Sequence, residues 1–179
     1  MNLQEQLQSE IKNQKPKLVP CGSSCHTPIE LKPAYRTIGI TRKKYFGRGI
    51  VTRRYRLAFP YMQFCARGCV PVVTWSNQSI SSWDGLVSAP LLPNINAFGK
   101  VCMGGNWSNS SMATCNDFWL TNFVVGEIRG PFNLIRRSSL KSLRNWQKMS
   151  LKSKHPLDVF ENYDFSCVHS LAQFIHDRL

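Results

Sequence analysis

The segment Pro93–Cys102 places an amide side chain, Asn94, eight residues before a thiol, Cys102. A cysteine thiolate is the nucleophile of thioester chemistry, and an amide N–H group stabilises the oxyanion of acyl transfer. Gly99 permits a tight turn between them, and in an extended chain Lys100 lies on the side of Cys102, where its charge lowers the pKa of a thiol. The pattern is compatible with thioester chemistry at Cys102, but the spacing alone favours core packing of this thiol. Cysteine is among the most buried residue types, and a lone cysteine in a strand usually fills the core.

The same segment resembles the active-site signature of ubiquitin-conjugating enzymes, His-Pro-Asn-Ile-x-x-x-Gly-x-Ile-Cys. The matching residues are Pro93, Asn94, Ile95, Gly99 and Cys102. Within that family the chain is similar to the prokaryotic branch, in particular to the PRTRC system protein B group, over residues 83–123.

The resemblance implies both a fold and a function. The fold is an α+β, UBC-like domain with an N-terminal helix, a small antiparallel β-meander, the Cys-bearing segment and C-terminal helices. Cys102 takes the catalytic role of carrying a ubiquitin-like modifier as a thioester, and Asn94 supports the acyl transfer. The expected partners are the modifier and an adenylating (activating) enzyme, which consumes the ATP, so no cofactor is expected in this chain. The expected source is a bacterium, a phage or another mobile element.

Two departures from the family pattern leave a second function open. Leu92 stands where the family has His, and Met103-Gly104-Gly105 replaces the acidic residue that often follows the cysteine. Without that acid, no residue is assigned to activate a substrate lysine. The alternative function is therefore a catalytically inactive UBC-like scaffold, or a basic interaction protein that binds nucleic acid or a larger assembly.

The seven cysteines leave one metal site open. Cys21, Cys25, Cys65 and Cys69 form two Cys-x₃-Cys pairs, and four thiolates are a sufficient ligand set for tetrahedral zinc. The alternative, four unrelated thiols in loop and core, is the one we expect. No metal is therefore assigned to the candidate functional site. His155, His169 and His176 are predicted to be surface or packing residues rather than bases.

The net charge of +13 is concentrated at the two ends of the chain. Residues 1–56 contain 12 Lys and Arg against 3 acidic residues, and residues 128–179 contain 9 against 4. Residues 57–127, with 2 against 3, are nearly neutral. Two basic arms predict an acidic partner, either nucleic acid or an acidic protein face, and a solvated surface is the alternative.

The compartment follows from two further observations. The first residues lack the basic and apolar regions of a secretory signal, so a cytoplasmic, reducing location is expected. No run of eighteen apolar residues occurs, so no membrane partner is expected.

Strands must position the candidate site, and the residue pattern predicts four of them. Residues 35–46 and 50–59 are rich in β-branched and aromatic residues around Gly47-Arg48-Gly49, which predicts a hairpin. Leu57 and Phe59 lie on its buried face, whereas Arg54 and Arg56 lie on the other. Two more strands are expected over 61–66 and 70–75, and an irregular stretch leads from there to Pro93.

Helices are expected on both sides of the strands. They are predicted over 2–14, through Met112 to Phe123, from Ser138 or Ser139 through Leu140, Leu143, Trp146 and Met149, and over 166–179. Residues 16–33 hold four prolines and are predicted as a loop. The expected organisation is an N-terminal helix and Pro-rich basic arm over 1–34, followed by a single α+β domain over 35–179.

Overall fold

The computed structural model describes residues 29–43, 50–67, 70–90, 95, 99, 142–163 and 169–176. Antiparallel sheets and helices make up these residues, which confirms the α+β fold class at that level. The predicted helices over 2–14 and 112–123 lie outside the described residues. Within the described ranges, no helix has the length and apolar character needed to cross a membrane.

The described elements form a β-meander followed by short helices. Their bounds are β1 Ile29–Leu31, β2 Ala34–Lys43, β3 Ile50–Phe59, β4 Tyr61–Arg67, β5 Val70–Ser76, β6 Leu86–Val87, α1 Leu143–Lys152, a 3-10 helix Pro156–Phe160, β7 His169–Ser170 and α2 Leu171–His176. β1 pairs with β4, β2 with β3, β4 with β5, and β6 with β7, all antiparallel. The four predicted strands are therefore confirmed over the described residues, and residues 44–46 of the first prediction lie outside them.

A pair of opposed prolines bends the central hairpin. Leu31 pairs with Met62, and Ala34 pairs with Phe59, so the β1–β4 and β2–β3 ladders share one register. Continuing that register places Pro33 opposite Pro60. Neither proline has an N–H group to donate, so the ladder is interrupted there. One long hairpin thus becomes two ladders, and the β2–β3 ribbon leaves the sheet that contains β1, β4 and β5.

Strand β1 corrects the prediction of a loop over residues 16–33. The strand has only three residues, with Pro28 before it and Pro33 two residues after it. Proline is tolerated at the ends of strands, so these residues bracket β1 rather than exclude it. Leu31 is fully buried, and the strand completes the sheet at the free edge of β4.

The main core lies on one face of this sheet and is dominated by aromatic rings. The ring centroid of Trp75 lies 5.9 Å from that of Trp146, 5.6 Å from that of Phe160 and 6.0 Å from that of Tyr163. Trp75 and Trp146 are both fully buried. Such tilted and edge-to-face pairs contribute about 0.5–1.5 kcal/mol each beyond the burial of their area. They fasten α1 and the 3-10 helix to β5.

The opposite face of the sheet combines a polar row with a second apolar cluster. Glu30, Gln63 and Thr74 are adjacent across three strands, and Gln63 Nε2 donates to Glu30 Oε2 (3.2 Å) while Thr74 Oγ1 donates to Gln63 Oε1 (2.9 Å). The Ile80 N–H also donates to Glu30 Oε2 (2.7 Å). The residues of the apolar cluster are Cys65, Val72, Ile80, Val87 and Leu171. The network satisfies a buried carboxylate and ties residues 79–80 to the sheet.

Helix α1 occupies the edge of β3 where β5 has ended. The Trp146 Nε1–H group donates to the Ala58 carbonyl (3.0 Å), and the Ala58 N–H group donates to Ser150 Oγ (2.8 Å). Both backbone groups of Ala58 are therefore satisfied by side chains one helical turn apart. This covering of the strand edge replaces the missing ladder partner.

Both described helices begin later than predicted. Ser142 is the N-cap of α1, with φ −162° and its side chain accepting from Asn145 N (3.2 Å), so the predicted start at Ser138 or Ser139 is wrong. α2 begins at Leu171 rather than at residue 166. Ser170 Oγ accepts from Gln173 N (3.1 Å), while Gln173 Oε1 accepts from Ser170 N (3.2 Å). This reciprocal pair is a capping box.

We predict that Ser150→Ala lowers the free energy of unfolding by about 1–3 kcal/mol, because the buried Ala58 N–H group loses its acceptor. Leu151→Ala is the control. It changes the next residue of α1, whose side chain is exposed, and the expected change is within about 0.5 kcal/mol. Urea unfolding of the full chain measures both. Equal losses for the two variants would show that the edge contact at Ala58 contributes nothing specific.

Candidate functional site

Strand β5 positions the segment that contains the predicted thioester site. Asn94, Cys102, Lys100 and Leu92 lie outside the described residues. Two residues of the same segment, Ile95 and Gly99, are described, and both contact the sheet or its core. The placement of the segment therefore rests on these two anchors.

The first anchor is a buried side chain. Ile95 directly follows Asn94 in the sequence, is 6% exposed, and belongs to the main core cluster together with Trp75 and Phe64. Burying an isoleucine side chain stabilises its position by about 1.5–3 kcal/mol. Ile95 is thereby held against the aromatic core.

The second anchor is a backbone hydrogen bond. The Val73 N–H group of β5 donates to the Gly99 carbonyl (2.9 Å), three residues before Cys102. Gly99 has φ 70°, in the left-handed region that residues with a Cβ atom adopt at a cost of about 1–2 kcal/mol. The glycine of the predicted motif is thus required by the turn that brings its carbonyl to β5.

A third contact lies on the same outer edge of β5, at Ser88. The Trp75 N–H group donates to Ser88 O (2.8 Å), and the Ser88 N–H group donates to Trp75 O (2.8 Å). Together with Val73–Gly99, these bonds hold residues on either side of Asn94 along one strand edge.

Only one of the four candidate zinc ligands is described. Cys65 is fully buried on β4, in the apolar cluster that contains Val72 and Leu171. Cys21, Cys25 and Cys69 lie outside the described residues, so the zinc site stays a prediction. Among the residues that are described, no group of three or more His, Cys, Asp or Glu side chains is placed to hold a metal ion.

The predicted surface histidines are partly described. His155 is exposed before the 3-10 helix, where its backbone N–H group donates to Asp158 Oδ2 (2.8 Å). His169 is half-buried in β7. Neither lies in the segment that β5 holds.

Basic residues of the N-terminal and C-terminal arms lie close together in the fold, which the sequence patterns did not predict. The Arg56 guanidinium lies 4.8 Å from the centroid of the Tyr35 ring. The Tyr35 hydroxyl donates to the Ser153 carbonyl (2.9 Å) at the end of α1. Lys152 and Lys154, both exposed, flank that serine. Residues from the N-terminal and C-terminal arms are therefore neighbours in the fold.

Comparisons with protein-family models, with curated proteins and with solved structures found no match to this chain.

We predict that Gly99→Ala lowers the free energy of unfolding by about 1–2 kcal/mol and accelerates hydrogen exchange at the Val73 amide. Gly99→Asn is the matched variant and should lose less, because asparagine tolerates the left-handed region. Urea unfolding and amide exchange monitored by NMR measure the two effects. An unchanged Val73 exchange rate in Gly99→Ala would contradict the role given to this glycine.

Proposed function

We propose that the chain is a ubiquitin-like-protein conjugating enzyme homologue with a UBC-like domain, in which Cys102 carries a small modifier as a thioester. The Cys102 thiolate attacks the C-terminal carbonyl of the modifier on its activating enzyme. A new C–S bond forms, the C–S bond to the activating enzyme breaks, and that enzyme's thiolate leaves. Asn94 donates a hydrogen bond to the oxyanion that forms in between.

A second transfer completes the reaction. An amine of the target attacks the Cys102 thioester, the amide bond forms, and the Cys102 thiolate is released while the amine loses a proton. The activating enzyme uses ATP to adenylate the modifier, so this chain needs no cofactor of its own. With Met103-Gly104-Gly105 after the cysteine, the proposal assigns no acidic residue of this segment to activate the amine.

The observation that carries the proposal is the attachment of the motif to β5. The Gly99 carbonyl accepts from Val73 N (2.9 Å), and Ile95 is buried in the main core, so two of the matching residues have structural roles in one strand-edge segment. A meander of antiparallel strands that precedes the Cys-bearing segment, followed by helices, is the element order that the resemblance implies. Both observations support the proposal independently of the charge distribution.

We predict a covalent adduct when the full chain is incubated with ATP, a ubiquitin-like modifier and the adenylating enzyme of that modifier. The adduct should disappear on treatment with a thiol reductant, because it is a thioester. Cys102→Ala should abolish it, and Cys102→Ser should give an oxygen ester that survives the reductant. Cys65→Ala should leave the adduct unchanged, because that thiol is fully buried.

An adduct that persists in Cys102→Ala would show that another residue is the nucleophile. A wild-type protein that gives no adduct would contradict the thioester proposal and favour the alternative of a catalytically inactive scaffold, in line with Leu92 at the position of the family's histidine. Intact-protein mass spectrometry with and without reductant distinguishes these results.

A second prediction concerns Asn94. Asn94→Ala should slow transfer of the modifier from Cys102 to an amine by about 10²–10³-fold, because the oxyanion loses a hydrogen-bond donor. Asn96→Ala is the control. It removes the same type of side chain at the residue that follows Ile95 in the sequence, and it should leave the rate unchanged. Single-turnover discharge of the preformed thioester measures both rates. Equal rates for the two variants would remove Asn94 from the mechanism.

A further inference from the structure

The exposed arginines of β3 lie on a ribbon with a strongly basic composition. Residues 34–59, which form β2, β3 and their connection, contain eight Lys and Arg and no acidic residue. Arg54 and Arg56 are exposed on one face, whereas Ile38 and Leu57 are buried on the other. The positive charge of this ribbon is therefore not neutralised by acids within it.

The described part of the fold holds one of these arginines in place. The Arg56 guanidinium stacks on the Tyr35 ring (4.8 Å to the centroid), and the Tyr35 hydroxyl is bonded to Ser153 O (2.9 Å). A cation over an aromatic ring loses less conformational freedom on binding an anion than an unrestrained side chain. The contact thus orders the arginine before a ligand arrives.

Helix α1 extends the charge beyond the ribbon. Ser153 lies between Lys152 and Lys154, and Lys148 lies one helical turn before Lys152; all three lysines are exposed. Residues four apart share one side of a helix. We name the set Arg54, Arg56, Lys148, Lys152 and Lys154 the basic surface.

We propose that the basic surface binds the phosphate backbone of double-stranded nucleic acid. Arg54 and Arg56, two residues apart on one strand face, are separated by about 6.8 Å, twice the axial spacing of phosphates along one strand of a duplex. The ten-residue ribbon is about 34 Å long, which equals one turn of B-form DNA. The dimensions and the charge are both complementary to a duplex.

A duplex fits this surface better than a single strand. Single-strand binding depends on aromatic side chains on which bases stack. The basic surface itself contains no aromatic residue. The ring of Tyr35, next to it, is covered by the Arg56 guanidinium, and the Tyr35 hydroxyl donates a hydrogen bond to Ser153 O. Phosphate contacts alone give affinity that does not depend on base sequence.

The test uses the full chain and labelled mixed-sequence duplexes of about two helical turns, one of DNA and one of RNA, in fluorescence anisotropy at several salt concentrations. With about four phosphate contacts, affinity for at least one duplex should fall roughly 10²-fold between about 50 and 200 mM salt. Tighter binding of the DNA or of the RNA duplex identifies which of the two forms the surface fits. A single strand bound more tightly than both duplexes would overturn the proposal, and so would polyglutamate bound as tightly as a duplex.

Matched variants locate the surface. Arg54→Ala should reduce the slope of log affinity against log salt by about 1, and Lys152→Ala with Lys154→Ala should reduce it by about 2. Arg53→Ala is the control: it removes the same charge from the adjacent exposed residue on the other face of β3, and the slope should not change. An equal effect of Arg53→Ala, or no effect of the lysine pair, would contradict the basic surface.

Binding through this surface does not depend on the thioester proposal. Cys102→Ala should bind the duplexes as wild type does. Loss of binding in that variant would overturn the separation of the two functions, whereas loss of adduct formation alone bears only on the thioester.

Discussion

The structure depends on strand β5, which is held on both edges and on both faces. One edge pairs with β4, and the backbone of the other edge forms hydrogen bonds with Ser88 and Gly99. On one face Trp75 contacts the rings of Trp146, Phe160 and Tyr163, which come from the C-terminal part of the chain. Since ring burial and two rows of backbone bonds act on the same seven residues, displacing β5 would loosen the core and the candidate site together.

The opposed prolines explain why one hairpin supplies two different surfaces. On one side of Pro33 and Pro60, β1 and β4 of the hairpin form a sheet with β5, which contacts Gly99. On the other side of the prolines, β2 and β3 continue as a two-stranded ribbon. The edge of β3 is covered by α1 at Ala58 rather than by another strand. The ribbon is thereby left with an exposed face that carries Arg54 and Arg56. The sheet that contacts Ile95 and Gly99 and the ribbon that carries Arg54 and Arg56 thus lie on the two sides of one interruption in a ladder.

Local patterns predicted the elements with strong periodicity and missed those fixed by distant contacts. Alternation in residues 50–59 correctly assigned the faces of β3, because side chains of a strand alternate. β1 was hidden by the prolines around it, and the start of α1 was misplaced because several serines could serve as its cap. The meeting of the two basic arms rests on Tyr35 and Ser153, 118 residues apart, and no local pattern encodes such a contact. The assignment of Asn94 and Cys102 rests on their spacing in the sequence and stays a prediction.

We propose that Cys102 is a reactive thiol, whereas Cys65 is buried in the sheet. Brief alkylation of the folded chain with iodoacetamide, followed by peptide mass spectrometry, compares Cys102 with Cys65 directly. The account predicts rapid modification of Cys102 and protection of Cys65, which is fully buried, until denaturant is added. Modification of Cys102 that is as slow as that of Cys65 in the folded protein would contradict it.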